Sequence, residues 1–245
     1  MVSEESVVRN AFRHYLQNSR MALFFGSLLV FVAFFVLFSN FFIQSGSIFV
    51  EPNFLTIAPM TLAAELLGVA VFLLFYSIFV SFIVFNVRNS LNKVRTEYYL
   101  SEKLHRFTFR LFAYYFALTV LFFVLTGILL YFGVSLALIA LISLIVSFAL
   151  FFVPQAIVID EQSVPISILN SWDFMATNPF IVVRVALISI VLVLLLPLIE
   201  LLFDSFYFSG RWISLIVALV FVIPFIEVLK TRAYMFKFGL VRPHL

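Results

Sequence analysis

Apolar positions along the chain gather into six long runs, near residues 21–43, 62–86, 111–132, 134–158, 180–203 and 212–236. Each run can cross a hydrocarbon core of about 30 Å at about 1.5 Å per residue, and each is much longer than a barrel strand. The runs therefore predict transmembrane α-helices. Between them the pattern changes to helices with one apolar face. Before the first run, Val7, Val8, Ala11, Phe12, Tyr15 and Leu16 recur at helical spacing opposite Arg9, Arg13 and Gln17, which predicts an interfacial amphipathic helix over about 4–18. Before the fifth run, Ser163 stands where a helix cap belongs, with Pro165 in the first turn. Ile166, Leu169, Trp172 and Met175 or Ala176 form one face, and Asn178–Pro179 end this second interfacial helix, over about 164–177. Val87, Leu91, Val94 and Tyr98 carry the second run onward as a third. The predicted fold class is all-α: one polytopic membrane domain, 1–245, with six spans.

Charge sets the expected orientation. Of the fifteen Lys and Arg residues, Arg9, Arg13 and Arg20 precede the first run, and Arg88, Lys93, Arg95, Lys103, Arg106 and Arg110 lie between the second and third. Lys230, Arg232, Lys237 and Arg242 gather at the end of the sixth, Arg184 lies just inside the fifth on the same side, and only Arg211 falls on the other. Basic residues stay on the cytoplasmic side during insertion, so both termini are expected inside. Glu4 and Glu5 spoil a basic leader, and the first run is too long for a signal-peptide core, so it reads as an anchor.

Composition agrees: 64% apolar and 11% charged residues give more apolar surface than a soluble core of 245 residues can bury. The net charge of +3 suggests nucleic acid until the charges are located. They face the anionic inner leaflet, and no folded nucleic-acid module accompanies them, so no nucleic-acid partner is expected. With no cysteine, disulfides and thiolate metal sites are excluded, and His14, His105 and His244 are isolated from one another. Neither a glycine-rich phosphate loop, an H-E-x-x-H arrangement nor an intramembrane Ser–His pair is present. The expectation is a non-enzymatic protein without cofactor or metal.

Candidate chemistry lies with ionisable groups inside the spans, which are expensive in hydrocarbon. Glu65 and Glu200 stand near the outer ends of spans two and five, and Glu227 in the inner part of span six. Arg211 is placed to reach the outer pair, and Arg184 or Arg110 to reach Glu227. Pro154, Pro197 and Pro224 interrupt spans four, five and six, each leaving a carbonyl one turn earlier without its N–H. Small pairs at i and i+4, Ala64 with Gly68, Ser77 with Ser81 and Ser143 with Ser147, predict close packing for spans two and four.

Pro154-Gln155-Ala156-Ile157-Val158-Ile159-Asp160, then Ile166-Ser167-Ile168-Leu169-Asn170-Ser171-Trp172 and Asn178-Pro179, resembles a pattern shared by six-span prokaryotic membrane proteins. These are the YciC-like uncharacterised proteins and the membrane domain attached to some glycerophosphodiester phosphodiesterases. The specific part covers about 25 residues; Ser167 stands where a small alanine is usual, and no soluble phosphodiesterase domain is present. The resemblance implies a helical membrane module of a prokaryotic cytoplasmic membrane and carries over no catalytic residue.

Together these features predict a lipid-interacting or accessory scaffold module. Its working surface is expected on the inner face: Arg9, Arg13, Arg88, Lys93, Arg95, Lys103, Arg106 and Trp172. Its partners would be anionic inner-leaflet lipids and either another protein or a second copy in a homo-oligomer. The alternative is a small-solute or ion transporter that uses Glu200 and Glu227.

Overall fold

The computed structural model describes residues 9, 11–13, 15–16, 25–35, 41–50, 59–92, 100–206 and 209–238. Helix α1 (Leu29–Phe35) is followed by an antiparallel hairpin of β1 (Phe41–Gln44) and β2 (Ser47–Val50). Then come α2 (Pro59–Asn92), α3 (Leu100–Tyr131), α4 (Leu136–Ala149), α5 (Val153–Ile159), α6 (Val164–Thr177) and α7 (Pro179–Ser205). The last helical stretch joins α8 (Gly210–Val217), a π-helical segment (Ala218–Val222) and α9 (Ile223–Met235), and a 3-10 turn (Phe236–Phe238) follows. Among the described residues, five segments are long and apolar enough to cross a membrane: Ala63–Arg88, Leu104–Tyr131, Ala137–Ile159, Pro179–Ser205 and Gly210–Met235. They match runs two to six. The architecture is that of a helical, membrane-embedded protein.

The first run departs from expectation at its end. Residues 41–43 are strand rather than helix, so the fold is not purely α-helical. Phe41 pairs with Val50 and Gln44 with Ser47 across a two-residue turn, Ser45–Gly46, in which both residues have positive φ (50° and 72°). That geometry needs glycine or a tolerant polar residue and matches strand twist, and the flanking Phe, Ile and Val residues suit a pleat as well as a helix.

The fourth run departs more consequentially. It is not one helix: α4 stops at Ala149, and α5 starts at Val153 after a turn. At 14 residues α4 rises about 21 Å, short of the hydrocarbon thickness. Pro154 has no N–H for the Leu150 carbonyl, and its ring opposes helix continuation. The sixth run answers Pro224 differently, by widening into the π segment just before it. Helix α7 runs through Pro197 without a break.

The core forms where α2, α5 and α9 meet. Val80, Ile83 and Val84 of α2 pack with Val153, Ala156, Ile157, Val158 and Ile159 of the wholly buried α5 and with Leu229, Ala233 and Tyr234 of α9. Ser77 and Ser81 are fully buried and Gly68 receives Phe34 and Phe35, so span two is an inner helix as expected. Span four divides: α5 is wholly buried, whereas in α4 Ser147 faces outward, α4 packs mainly on α3, and Leu141, Leu144 and Ile145 are exposed. A small-residue pair permits close approach but supplies no partner.

Candidate functional site

Glu227, Lys230 and Thr231 share one face of α9 at i, i+3 and i+4, and α5 brings Gln155 against them. Lys230 Nζ donates to Glu227 Oε1 at 2.8 Å, and Gln155 Nε2 donates to Glu227 Oε2 at 2.7 Å. The ammonium also lies 4.9 Å from the centre of the Phe151 ring, and the Thr231 hydroxyl donates to the Glu227 carbonyl at 2.6 Å. Glu227 is 5% exposed and Lys230 6%. The group is thus a buried, net-neutral pair with each carboxylate oxygen already holding a donor, which is how a charge survives in apolar surroundings. The partner of Glu227 is Lys230, not Arg184 or Arg110 as expected, because a side chain one turn away reaches it without bridging to another helix. Gln155 Oε1 is buried without a hydrogen-bond partner among the described residues.

A second node closes the same end of the bundle. Asp160 caps α5, and its Oδ2 accepts from Asn170 Nδ2 at 2.8 Å, the Tyr234 hydroxyl at 2.7 Å and Lys237 Nζ at 3.5 Å. Glu161 takes positive φ (57°), and the chain reverses there into α6. Arg88 of α2 donates to Glu161 Oε1 at 2.9 Å and to the Val158 carbonyl at 3.2 Å. Arg110 of α3 donates to the carbonyls of Glu161 and Gln162 at 2.9 and 3.0 Å. Four helices are tied to one reversal. Ser163 precedes α6 in extended conformation, but its side chain makes no capping hydrogen bond. Helix α6 turns Ser167, Ser171 and Phe174 inward, with Phe174 against Phe152 and Tyr234, and leaves Ile166, Leu169 and Trp172 outward, as the predicted interfacial face requires.

At the opposite end, Glu200 of α7 receives the hairpin. The Ser45 N–H donates to Glu200 Oε2, the Ser214 hydroxyl donates to the same oxygen at 3.3 Å, and the Gly46 N–H donates to Ser214 Oγ at 3.1 Å. A Cβ on Gly46 would lie 2.8 Å from Leu196 Cδ1 and 3.0 Å from Ala218 Cβ, so the tip fits between α7 and α8 only as glycine. Gly210 opens α8 against α7 for the same reason: its N–H donates to Asp204 Oδ1 at 2.9 Å, and any Cβ would collide with the Glu200 carbonyl. The contacts of Glu200 are therefore the hairpin and Ser214, rather than the expected Arg211.

The donors at the helix breaks are aromatic. Tyr114 donates to the Leu150 carbonyl at 3.3 Å and Trp172 Nε1 to the Ala149 carbonyl at 2.8 Å. Tyr15 donates to the Val220 carbonyl, the one Pro224 cannot serve, at 2.8 Å.

Of the expected basic surface, Arg9, Arg13 and Arg106 are exposed and Trp172 is 49% exposed. Arg88 is turned inward to Glu161 instead. Lys93 and Arg95 lie outside the described residues, as do Val7 and Val8 of the first interfacial helix, and Lys103 lies in α3 with its side chain outside the description. Glu65 is buried on α2 and Arg184 is exposed on α7. Missing from the expected set were Gln155, Asp160, Lys230, Ser214 and Tyr234. One signal pointed to Lys230, which stands three residues from Glu227 within one run, and another to the hairpin, where Ser45–Gly46 is a turn dipeptide between β-forming residues. Compared with models of protein families, with curated proteins and with solved structures, the chain matches none.

Proposed function

We propose that the chain is a non-catalytic scaffold or accessory module of a prokaryotic cytoplasmic membrane. It has six spans and both termini inside, and it engages anionic lipid at its inner face. One observation carries the reading. Glu200, Glu227 and Asp160, with Arg88 and Arg110, are used to join elements of the bundle, whereas Arg9, Arg13 and Arg106 remain exposed. Charges left outward near a membrane attract anionic headgroups by about 1 kcal/mol each.

The test is native mass spectrometry after extraction from nanodiscs holding equal phosphatidylglycerol and phosphatidylcholine. The wild-type chain should retain the anionic lipid preferentially, and replacing Arg9, Arg13 and Arg106 with Gln should remove the preference without loss of fold. Equal retention of the two lipids by the wild type would sink the reading. Topology has its own test, because the chain carries no cysteine. Leu16→Cys and His105→Cys, both at exposed positions, should label from the same side if the first run crosses the membrane and from opposite sides if it does not.

The transporter reading keeps one supporting feature, that α5 and α9 both start at proline breaks beside Gln155 and Glu227. It expects Glu227→Gln to abolish a solute or ion flux in proteoliposomes while leaving the fold intact.

A further inference from the structure

The N-terminal helical segment meets the bundle where the helix of the sixth run widens ahead of Pro224. Pro224 supplies no N–H, the π segment Ala218–Val222 loosens the preceding turn, and Ile223 bonds back to the Ala218 carbonyl, five residues earlier. Tyr15 spans this point. Its hydroxyl serves Val220, and its ring packs edge-on to Phe221 and Phe225 at 5.3 and 6.2 Å. Phe12 also packs edge-on to Phe225, at 6.3 Å, while Phe221 and Phe225 stack parallel beneath. Ala11 beside them is fully buried.

At about 100° per residue, Arg9 and Arg13 fall on the side of the helix opposite Ala11 and Tyr15, and both are exposed. One face therefore holds a helix break and the other carries two fixed positive charges. Long arginine stems let such charges reach a headgroup phosphate while the helix body stays docked. Burial raises the pKa of the Tyr15 hydroxyl above its ordinary value, so it remains a donor at physiological pH.

We propose that this segment is a splint controlled by headgroup charge: anionic phosphates at Arg9 and Arg13 hold Tyr15 on Val220 and so close the break ahead of α9. The inference rests on the lipid reading above and adds its regulation. Because α9 carries Glu227 and Lys230 within two turns of the break, opening there would loosen the buried node that α9 shares with α5.

Hydrogen exchange of the full chain in nanodiscs tests it, read at Val222, Ile223, Phe225 and Ile226. In phosphatidylglycerol these amides should exchange about fivefold more slowly than in phosphatidylcholine, the size of effect expected for one hydrogen bond. Arg9→Gln with Arg13→Gln should erase the difference. Tyr15→Phe, which keeps the ring packing, should bring exchange in phosphatidylglycerol up to the phosphatidylcholine rate while leaving retained anionic lipid unchanged. Equal exchange in the two lipids for the wild type, or no response to Tyr15→Phe, overturns the splint. If the wild type still retains anionic lipid preferentially, only the splint fails; if that preference is absent, the lipid reading fails with it.

Discussion

Removing one member of the Glu227–Lys230 pair should be far more damaging than removing both. In Glu227→Gln the new amide oxygen can still accept from Gln155, but the Lys230 ammonium keeps only the face of Phe151, 4.9 Å away. A desolvated cation–π contact is worth about 2 kcal/mol, so this variant should lose about 3 kcal/mol, the low end for an orphaned buried charge. In Lys230→Met the carboxylate keeps a single neutral donor, and the loss should approach about 5 kcal/mol. The double variant restores neutrality with side chains of similar volume and should fall within about 1 kcal/mol of the wild type. A coupling energy of about 7 kcal/mol follows, well above what neighbouring residues ordinarily show. Reversible unfolding by steric trapping in bicelles would measure all four proteins in one lipid environment. Additive single effects, or single losses below about 1 kcal/mol, would refute the reasoning, since they would mean that water reaches the pair and that its 5–6% exposure understates solvation.

Three further outcomes follow from close contacts. Gly210→Ala should destabilise the chain by about 3 kcal/mol or more by forcing α8 off α7, seen as a lower Tm in fluorescence-detected size-exclusion scans. Gly46→Ala adds about 1–2 kcal/mol of left-handed backbone strain to its clash with Leu196 and should free the hairpin tip; a Gln44→Cys reporter in that background should then react faster with a soluble maleimide. Arg88→Gln should cost about 1.5–3 kcal/mol through its bonds to Glu161 and Val158, and leave anionic-lipid retention unchanged, because that guanidinium is turned into the bundle.

Runs two, three, five and six were legible because a bilayer demands an unbroken apolar stretch of about 20 residues, and little else in a sequence looks like one. The same reading fails where the residue types serve two structures. Phe41, Ile43 and Ile48 fit a membrane helix and a strand equally, and only Ser45–Gly46 distinguishes them. Charge alone groups Lys230 with the basic residues that set orientation, although its spacing from Glu227 makes it a partner inside the span. The sequence pattern places Arg88 on the surface because its acceptor, Glu161, lies 73 residues further on, a separation that no local pattern encodes. In α6 the outward apolar face was read correctly from its period, while the inward face was not, because Ser167 and Ser171 look polar yet are buried there as small groups.

The breaks themselves bear on which functional reading fits. In a bilayer a carbonyl released by proline must find a donor, and an ion pathway built on broken helices leaves that role to water or to the transported ion. Here acceptors at the fourth and sixth runs are occupied from within the protein: Leu150 by Tyr114, Ala149 by Trp172, and Val220 by Tyr15. The three donors come from three different segments, so each break also joins parts of the chain distant in sequence. Indole and phenol suit the task, since each brings one donor on a large apolar ring and adds no charge to the interior. Lys230 also neutralises Glu227, and the described residues hold no cluster of three His, Cys, Asp or Glu side chains. Pro154 and Pro224 mark the joints at which α5 and the N-terminal segment seat against α9, and Arg9, Arg13 and Arg106 are among the charges that stay exposed.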